Sequence, residues 1–258
     1  MGRTLSLSFP VKRLCLASLL TVGIIAQRME GQDRGVSVTG SVGYGIFNLA
    51  AVDAKNAADV AGWSALGVPL SNFVSVKQSP FFSGRVTYRT TREFAVSLYA
   101  STFSKSASAS YRGSDTQLQL DRSVGATDIT VGIAYYPAAQ PYGFQWYLQT
   151  NLGVILARAS ANAYGEQASK QGAVTVMVPL VNSEANYRKT KTCAAFCLGA
   201  DVPLSSGVFL KGEGGYRVAQ VGQLNADTVD FGVPGTQIST TIFDYSGLVV
   251  SLGVGIDF

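Results

Sequence analysis

The chain has no histidine among its 258 residues. Imidazole is the side chain that titrates near neutral pH without special help, so the general base that a Ser or water nucleophile needs is missing. No paired carboxylates at strand spacing offer a substitute, and no catalytic residue is assigned. Beyond residue 26 no apolar run approaches the length of a spanning helix, which excludes a helical membrane protein. Cation and phosphate chemistry is equally thin. Asp227, Asp230 and Asp244 match no Ca²⁺-loop spacing. Lys211-Gly212-Glu213-Gly214-Gly215 has the glycines of a phosphate loop but no helix pattern after it, so tight packing of a strand explains it better. The sequence implies no metal and no cofactor.

What is present begins with the N-terminus. Arg3, Lys12 and Arg13 precede an uncharged stretch from Leu14 to Ala26, and charge resumes at Arg28. A basic segment followed by a short apolar one is a secretory signal. Cys15 does not mark a lipoprotein, because Lys12-Arg13-Leu14 lacks the small residues such processing needs. The expected division is a signal peptide over 1–26, a short periplasmic tail over 27–35 and one domain over 36–258. The signal carries three of the 20 basic residues and none of the 16 acidic ones, leaving a net charge of about +1. Nothing in that balance argues for nucleic acid.

The rest of the chain alternates with a period of two. Val36, Val38, Val42, Tyr44 and Ile46 alternate with Ser, Thr and Gly. Phe82, Val86 and Tyr88 oppose Ser83, Arg85, Thr87 and Arg89. Phe94, Val96, Leu98 and Ala100 follow a break at Thr90–Glu93. Ile129, Val131, Ile133 and Tyr135 oppose Asp128, Thr130 and Gly132. Further segments start near Phe144, Thr192 and Val208, and the last runs from Leu248 to Phe258. Such alternation places apolar and polar sets on opposite faces of a strand. Eight strands result. Connections between them alternate long and short: about 49–80, 103–127, 158–188 and 219–245 are long, whereas Thr90–Glu93, Pro137–Gly143 and Pro203–Gly207 are short and rich in turn formers. Loops so long are unusual in compact soluble domains. Tight turns on one side and long loops on the other suit an outer-membrane barrel, with both termini on the periplasmic side. Tyr135, Tyr136, Tyr142, Phe144 and Trp146 flank one short turn as an interfacial girdle would.

The final segment, Ser246 to Phe258, ends on an aromatic residue. Ser251, Gly253, Ile256 and Phe258 fit a pattern of polar, any, Gly, two of any, apolar, any, apolar. This resembles the closing strand of bacterial outer-membrane barrels, which their insertion machinery recognises. The whole mature chain resembles small barrels such as the membrane domain of OmpA, OmpX and OmpW. The resemblance implies an all-β, eight-stranded, antiparallel, up-and-down transmembrane barrel with long extracellular loops. It also implies lipid and the insertion machinery as partners, and a surface-exposed ligand at the loops. The barrel enzymes known to us need a catalytic His, so the resemblance points away from an enzyme.

On these faces Arg85, Arg89, Lys191, Lys211 and Arg217 point inward with Asp201, Glu213 and Asp257. Charges in so narrow a lumen pair to avoid the cost of isolation. The expectation is an ionic plug, with a structural or surface-interaction role for the protein. The alternative is a narrow pore or a channel for small or hydrophobic solutes, with Glu213 bridging Lys211 or Arg217 and the excess cations giving weak anion preference. Trp63, Leu66, Val68, Leu70, Phe73 and Val74 either line an apolar entrance or pack on the barrel rim. Cys193 and Cys197 lie about 13 Å apart if their strand is continuous, which favours two lumen thiols over a disulfide across a bent strand. Export is directly testable: intact-mass measurement of the protein recovered from outer membranes should show the loss of about 26 residues, and retention of the full-length mass would overturn the signal assignment.

Overall fold

The computed structural model describes residues 35–137, 145–171, 174–226 and 241–258. The segments expected to be signal peptide and nearly all of the expected tail lie outside them, as do Tyr142, Phe144, Asp227 and Asp230. The strands are β1 (Val36–Phe47), β2 (Gln78–Arg89), β3 (Phe94–Arg112), β4 (Thr116–Tyr135), β5 (Gln145–Gln171), β6 (Val174–Ser205), β7 (Val208–Val218), β8 (Gln220–Gln223), β9 (Asn225–Ala226), β10 (Ile242–Asp244) and β11 (Gly247–Asp257). One helix, α1 (Ala50–Ala65), lies between β1 and β2. Each of the eight long strands pairs antiparallel with its chain neighbour. The pairing of β11 with β1 joins the two ends of the chain, so the ring β1–β7 plus β11 has no free edge. That is the eight-stranded barrel expected.

Parity divides every strand. Val42, Tyr44, Leu98, Ile133, Leu152, Phe196, Leu252 and Phe258 face outward and are exposed, as an apolar band against lipid requires. Inward positions carry the polar and aromatic groups. Some inward glycines exist to receive aromatic rings: a Cβ at Gly199 would lie 2.3 Å from the Tyr147 ring, and one at Gly255 would lie 2.1 Å from Phe209. The β6–β7 turn needs Gly207 for a different reason, its φ of +78°. At Thr90–Glu93 the Thr91 hydroxyl accepts the backbone N–H groups of Glu93 and Phe94, closing the turn locally.

Above the band the structure departs from the expected loops. Residues 103–127 and much of 158–188 are strand, not loop: β3 and β4 stay paired to Arg112↔Gln117, and β5 and β6 to Gln171↔Val174. From Leu156 to Gln171 β5 climbs about 50 Å at ordinary strand rise. The outer face changes chemistry on the way. Phe94, Val96, Leu98 and Ala100 give way to Thr102, Ser104, Ser106, Ser108 and Ser110. Alternation persists there, but as small-polar against Ala, Val and Leu, a contrast weaker than that within the band. The four strands form a wall rising from one side of the barrel.

The first long connection holds α1. Seven of its sixteen residues are Ala, Asp53 sits in its first turn, and Lys55 and Asp59 pair at i,i+4. Gly67, at φ +83°, follows its end. Val52, Asn56, Asp59 and Val60 form its buried face. Leu70 is buried beneath it, with Trp63, Val68 and Phe73 packed beside; Leu66 and Val74 are exposed. The segment therefore packs on the rim and wall.

Glycines discriminate between faces, which gives a test. A Cβ at inward Gly153 would come within 2.1 Å of the Ile129 carbonyl oxygen, while outward Gly84 has open space. Gly153→Val should destabilise the folded barrel by about 1–3 kcal/mol, read as a lower midpoint of the heat-induced gel-mobility shift. Gly84→Val should leave it unchanged, and equal effects would contradict the inside–outside assignment.

Candidate functional site: a filled and layered lumen

The lumen is layered along the barrel axis. At the periplasmic end Arg89 lies over the Tyr136 ring, 4.4 Å from its centroid, and donates to Gln145 Oε1 at 2.7 Å. Tyr136 is buried against Tyr147 and does not belong to an outward girdle, because β4 ends at Tyr135 and the chain turns into the lumen. Tyr135 and the half-buried Trp146 keep the outward position.

The next layer is ionic. The Arg85 guanidinium grips Glu213 through both terminal nitrogens, the Nη2–Oε2 contact being 2.9 Å. Both side chains are almost fully buried. Tyr147 donates its hydroxyl proton to Glu213 Oε1 at 2.6 Å and accepts from Lys211 Nζ at 2.9 Å. Lys211 also meets Asp201 Oδ1 at 2.8 Å. A fork of two parallel N–H···O bonds is the strongest form of such a pair, and the phenol couples it to its neighbour.

Arg217 sits one level higher. Its guanidinium is held from above, away from Glu213: Nε donates to the Tyr245 carbonyl at 3.3 Å, and the group lies 4.7 Å from the Phe47 ring centroid. Its carboxylate is Asp128, at 3.6 Å, which also accepts from Ser101. Gln149 donates to Ser97 and Asn151 in the same belt. Between these side chains remains a cavity of about 30 Å³, lined by Arg85, Tyr99, Asp128, Asn151, Cys197 and Glu213 among others. Cys193 and Cys197 are separate thiols on β6, both on inward positions.

An aromatic roof closes this space. Phe47 stacks on Phe103 at 4.5 Å, Tyr245 tilts against Phe103, and Phe243 stacks on Tyr245. Leu49 and Val52 of the first connection join the same buried cluster. Above it Arg122, inward on β4, donates to Asn56 Oδ1 at 2.7 Å and pairs with Asp59, so α1 is tied to the wall by a buried ionic contact.

Six of the seven proposed lumen residues thus face inward from the periplasmic half, in two ion pairs, the Arg217–Asp128 contact and the Arg89–Tyr136 stack. Lys191 is the exception. It is exposed and makes no ion pair among the described residues, because β6 has lost its neighbour there: the last β6–β7 pair is Ala194↔Val218. Asp128 takes its place, an inward residue of the alternating 128–135 segment. With Lys191 outside and Asp128 inside, four cations (Arg85, Arg89, Lys211, Arg217) meet three carboxylates (Asp128, Asp201, Glu213) in the lumen, and Asp257 lies exposed at its periplasmic mouth. The expected excess of two lumen cations falls to one. The Arg122–Asp59–Asn56 contact fell in segments read as loops. Its signals were the Ala-rich stretch with Lys55 and Asp59 at helical spacing, and Leu118, Leu120, Arg122, Val124 and Ala126 in alternation.

At the closing strand, Ser251 and Gly253 point inward and Ile256 and Phe258 outward. Phe258 donates its backbone N–H to the Val36 carbonyl at 2.8 Å, sealing β11 to β1.

No protein-family model and no curated protein sequence matches the chain. Among solved structures it is similar to the outer membrane protein OprG from Pseudomonas aeruginosa, at 14% identity and a TM-score of 0.48, over 87% of this chain and 95% of that one. It is similar to Neisserial surface protein A at 16% identity and a TM-score of 0.41, over 89% and 100%. It is also similar to the outer membrane protease OmpT from Escherichia coli at 9% identity and a TM-score of 0.39, over 87% and 96%. A ring without edges, an outward apolar band and a polar interior make this chain an integral β-barrel of the bacterial outer membrane, with the architecture of the small barrels of that membrane.

Proposed function

We propose that the protein is a non-enzymatic structural and surface-interaction barrel, closed to solutes, that holds a rigid β-wall and a packed helix in the medium. The observation that carries this reading is the filling of the lumen: among the described residues, a cavity of about 30 Å³ lies between the ionic layer and the aromatic roof. A space of that size takes a water or two, too little for a sugar or an amino acid. Catalysis lacks the general base argued above. The sequence, which has no histidine, supports the non-enzymatic reading. Surface contacts belong to the outer face of the wall, which presents Ser104, Ser106, Ser108, Asp121, Asn162 and Asn182 on rigid strands. The Ser251–Phe258 pattern supports recognition of β11 by the barrel-insertion machinery.

A second reading, a narrow pore, is favoured by one feature. Only Phe47 and Phe103 of the roof belong to the barrel wall: Leu49 and Val52 lie in the first connection, which Arg122–Asp59 helps to hold, and Phe243 and Tyr245 come from the connection before β11. Withdrawal of these segments would expose the ionic layer to the medium.

Planar-bilayer recording separates the readings. The refolded mature protein, shown to be inserted, should give no unitary current steps; stable steps would sink the closed-barrel reading. The ionic layer has its own test. Glu213→Gln leaves Arg85 buried opposite a neutral group and should cost about 3–5 kcal/mol, measured as the loss in urea-unfolding free energy in lipid vesicles. A loss no larger than that of the exposed-site variant Lys77→Ser would show that the pair does not hold the lumen.

A further inference from the structure

The cavity in the middle of the lumen is lined by Arg85, Thr130 and Arg217 together with Asp128, Asn151 and Glu213. Arg85, Thr130 and Arg217 are 5%, 3% and 5% exposed. Each carries a buried polar atom that finds no hydrogen-bond partner among the described residues: Arg85 Nε, Thr130 Oγ1 and Arg217 Nη2. A buried donor left without an acceptor is costly, most of all on a charged group. Here three such residues share the lining of one small space.

Their chemistry is alike. Guanidinium nitrogens only donate, and a hydroxyl donates as readily as it accepts, so the set calls for an acceptor. The carboxylates beside it are directed elsewhere. Glu213 accepts from both terminal nitrogens of Arg85 and from the Tyr147 hydroxyl. Asp128 accepts from Ser101, and its 3.6 Å contact with Arg217 Nη1 is longer than a hydrogen bond. Among the described residues Arg217 donates one hydrogen bond, from Nε to the Tyr245 carbonyl at 3.3 Å, and otherwise rests on the Phe47 and Phe103 rings. A fully buried guanidinium with five N–H groups is thereby left short of acceptors.

We infer that the cavity is a buried halide site, in which a chloride ion accepts from the Arg85 and Arg217 guanidinium groups and from the Thr130 hydroxyl. Size and charge agree. The space of about 30 Å³ takes a water or two, and chloride is close to water in size, whereas sulfate and phosphate are too large. A halide accepts from all three groups and donates nothing, which no water does. Four lumen cations face three carboxylates, so one monovalent anion completes the balance. A metal cation would meet two guanidinium charges at close range. The site rests on the filled lumen of the closed-barrel reading, with the aromatic roof above it and the Arg85–Glu213 layer below.

The test is equilibrium urea unfolding of the mature protein in phosphatidylcholine vesicles, with sodium chloride exchanged for sodium gluconate at constant ionic strength. For an ion bound only by the folded state, the folded-to-unfolded ratio should rise about tenfold for each tenfold rise in chloride above the dissociation constant. Thr130→Val removes one donor with little change of shape and should shift that response to about tenfold higher chloride. Thr102→Val, on the outer face, should respond as the wild type does. In crystals grown in bromide, an anomalous-scattering peak should lie between Arg85, Thr130 and Arg217. Unfolding that is the same in chloride and gluconate, an undiminished response in Thr130→Val, or a cavity holding water without anomalous signal would overturn the halide site. Unitary current steps in a bilayer would sink the closed-barrel reading and leave these readouts unmoved, so the two fail separately.

Discussion

Within the hydrocarbon of a bilayer every backbone N–H and C=O must find its partner in the protein, because no water is there to take it. This chain meets the requirement by joining its last strand to its first. Eleven residue pairs between β1 and β11 close the ring, with Phe258 donating the final bond to Val36. The remaining features follow from closure at eight strands. A ring of that size encloses only enough space for side chains, so inward positions become a core, and outward positions must be apolar wherever lipid touches them.

That core is not uniform, and its order along the axis is chemically sensible. The buried charges sit in pairs, the Arg85 fork on Glu213 and the Lys211 ammonium on Asp201, linked by the Tyr147 phenol. Arg217 marks the border, using Asp128 on one side and the faces of Phe47 and Phe103 on the other. Above it the packing is aromatic and aliphatic, and above that Arg122 ties α1 down. A cation with a flat, weakly hydrated head can serve both neighbours, which lysine would do less well.

The membrane part was legible because its signal is strong: period-two alternation between large apolar and small or polar residues specifies both strand and face. Inward assignments of Arg85, Lys211, Glu213 and Arg217 followed directly. Partners did not, since alternation gives a residue's face and not its height. Arg217 and Glu213 are close in sequence yet sit in different layers, and Asp128 comes to Arg217 from across the barrel. Lys191 shows the other limit: parity points it inward, but only a neighbouring strand makes an inside. The wall reads as loops in the sequence because Ser104 to Ser110 offer no apolar outer face once lipid is left behind. In α1 a run of alanines gives little amphipathic contrast, and its buried Asn56 and Asp59 look like surface residues until Arg122 is placed opposite.

Because β5 and β6 keep a single register from Gln145↔Asp201 up to Gly165↔Val181, each added cross-strand pair brings its own hydrogen bonds and disturbs nothing below it. The height of the projection is thereby uncoupled from the span of the membrane. Two residues gained or lost on each arm preserve the parity of every side chain beneath, whereas a single residue on one arm would invert a face or force a bulge such as the one at Gly165/Glu166. The reach of this protein into the medium is therefore a quantity adjustable in discrete increments, at constant anchorage.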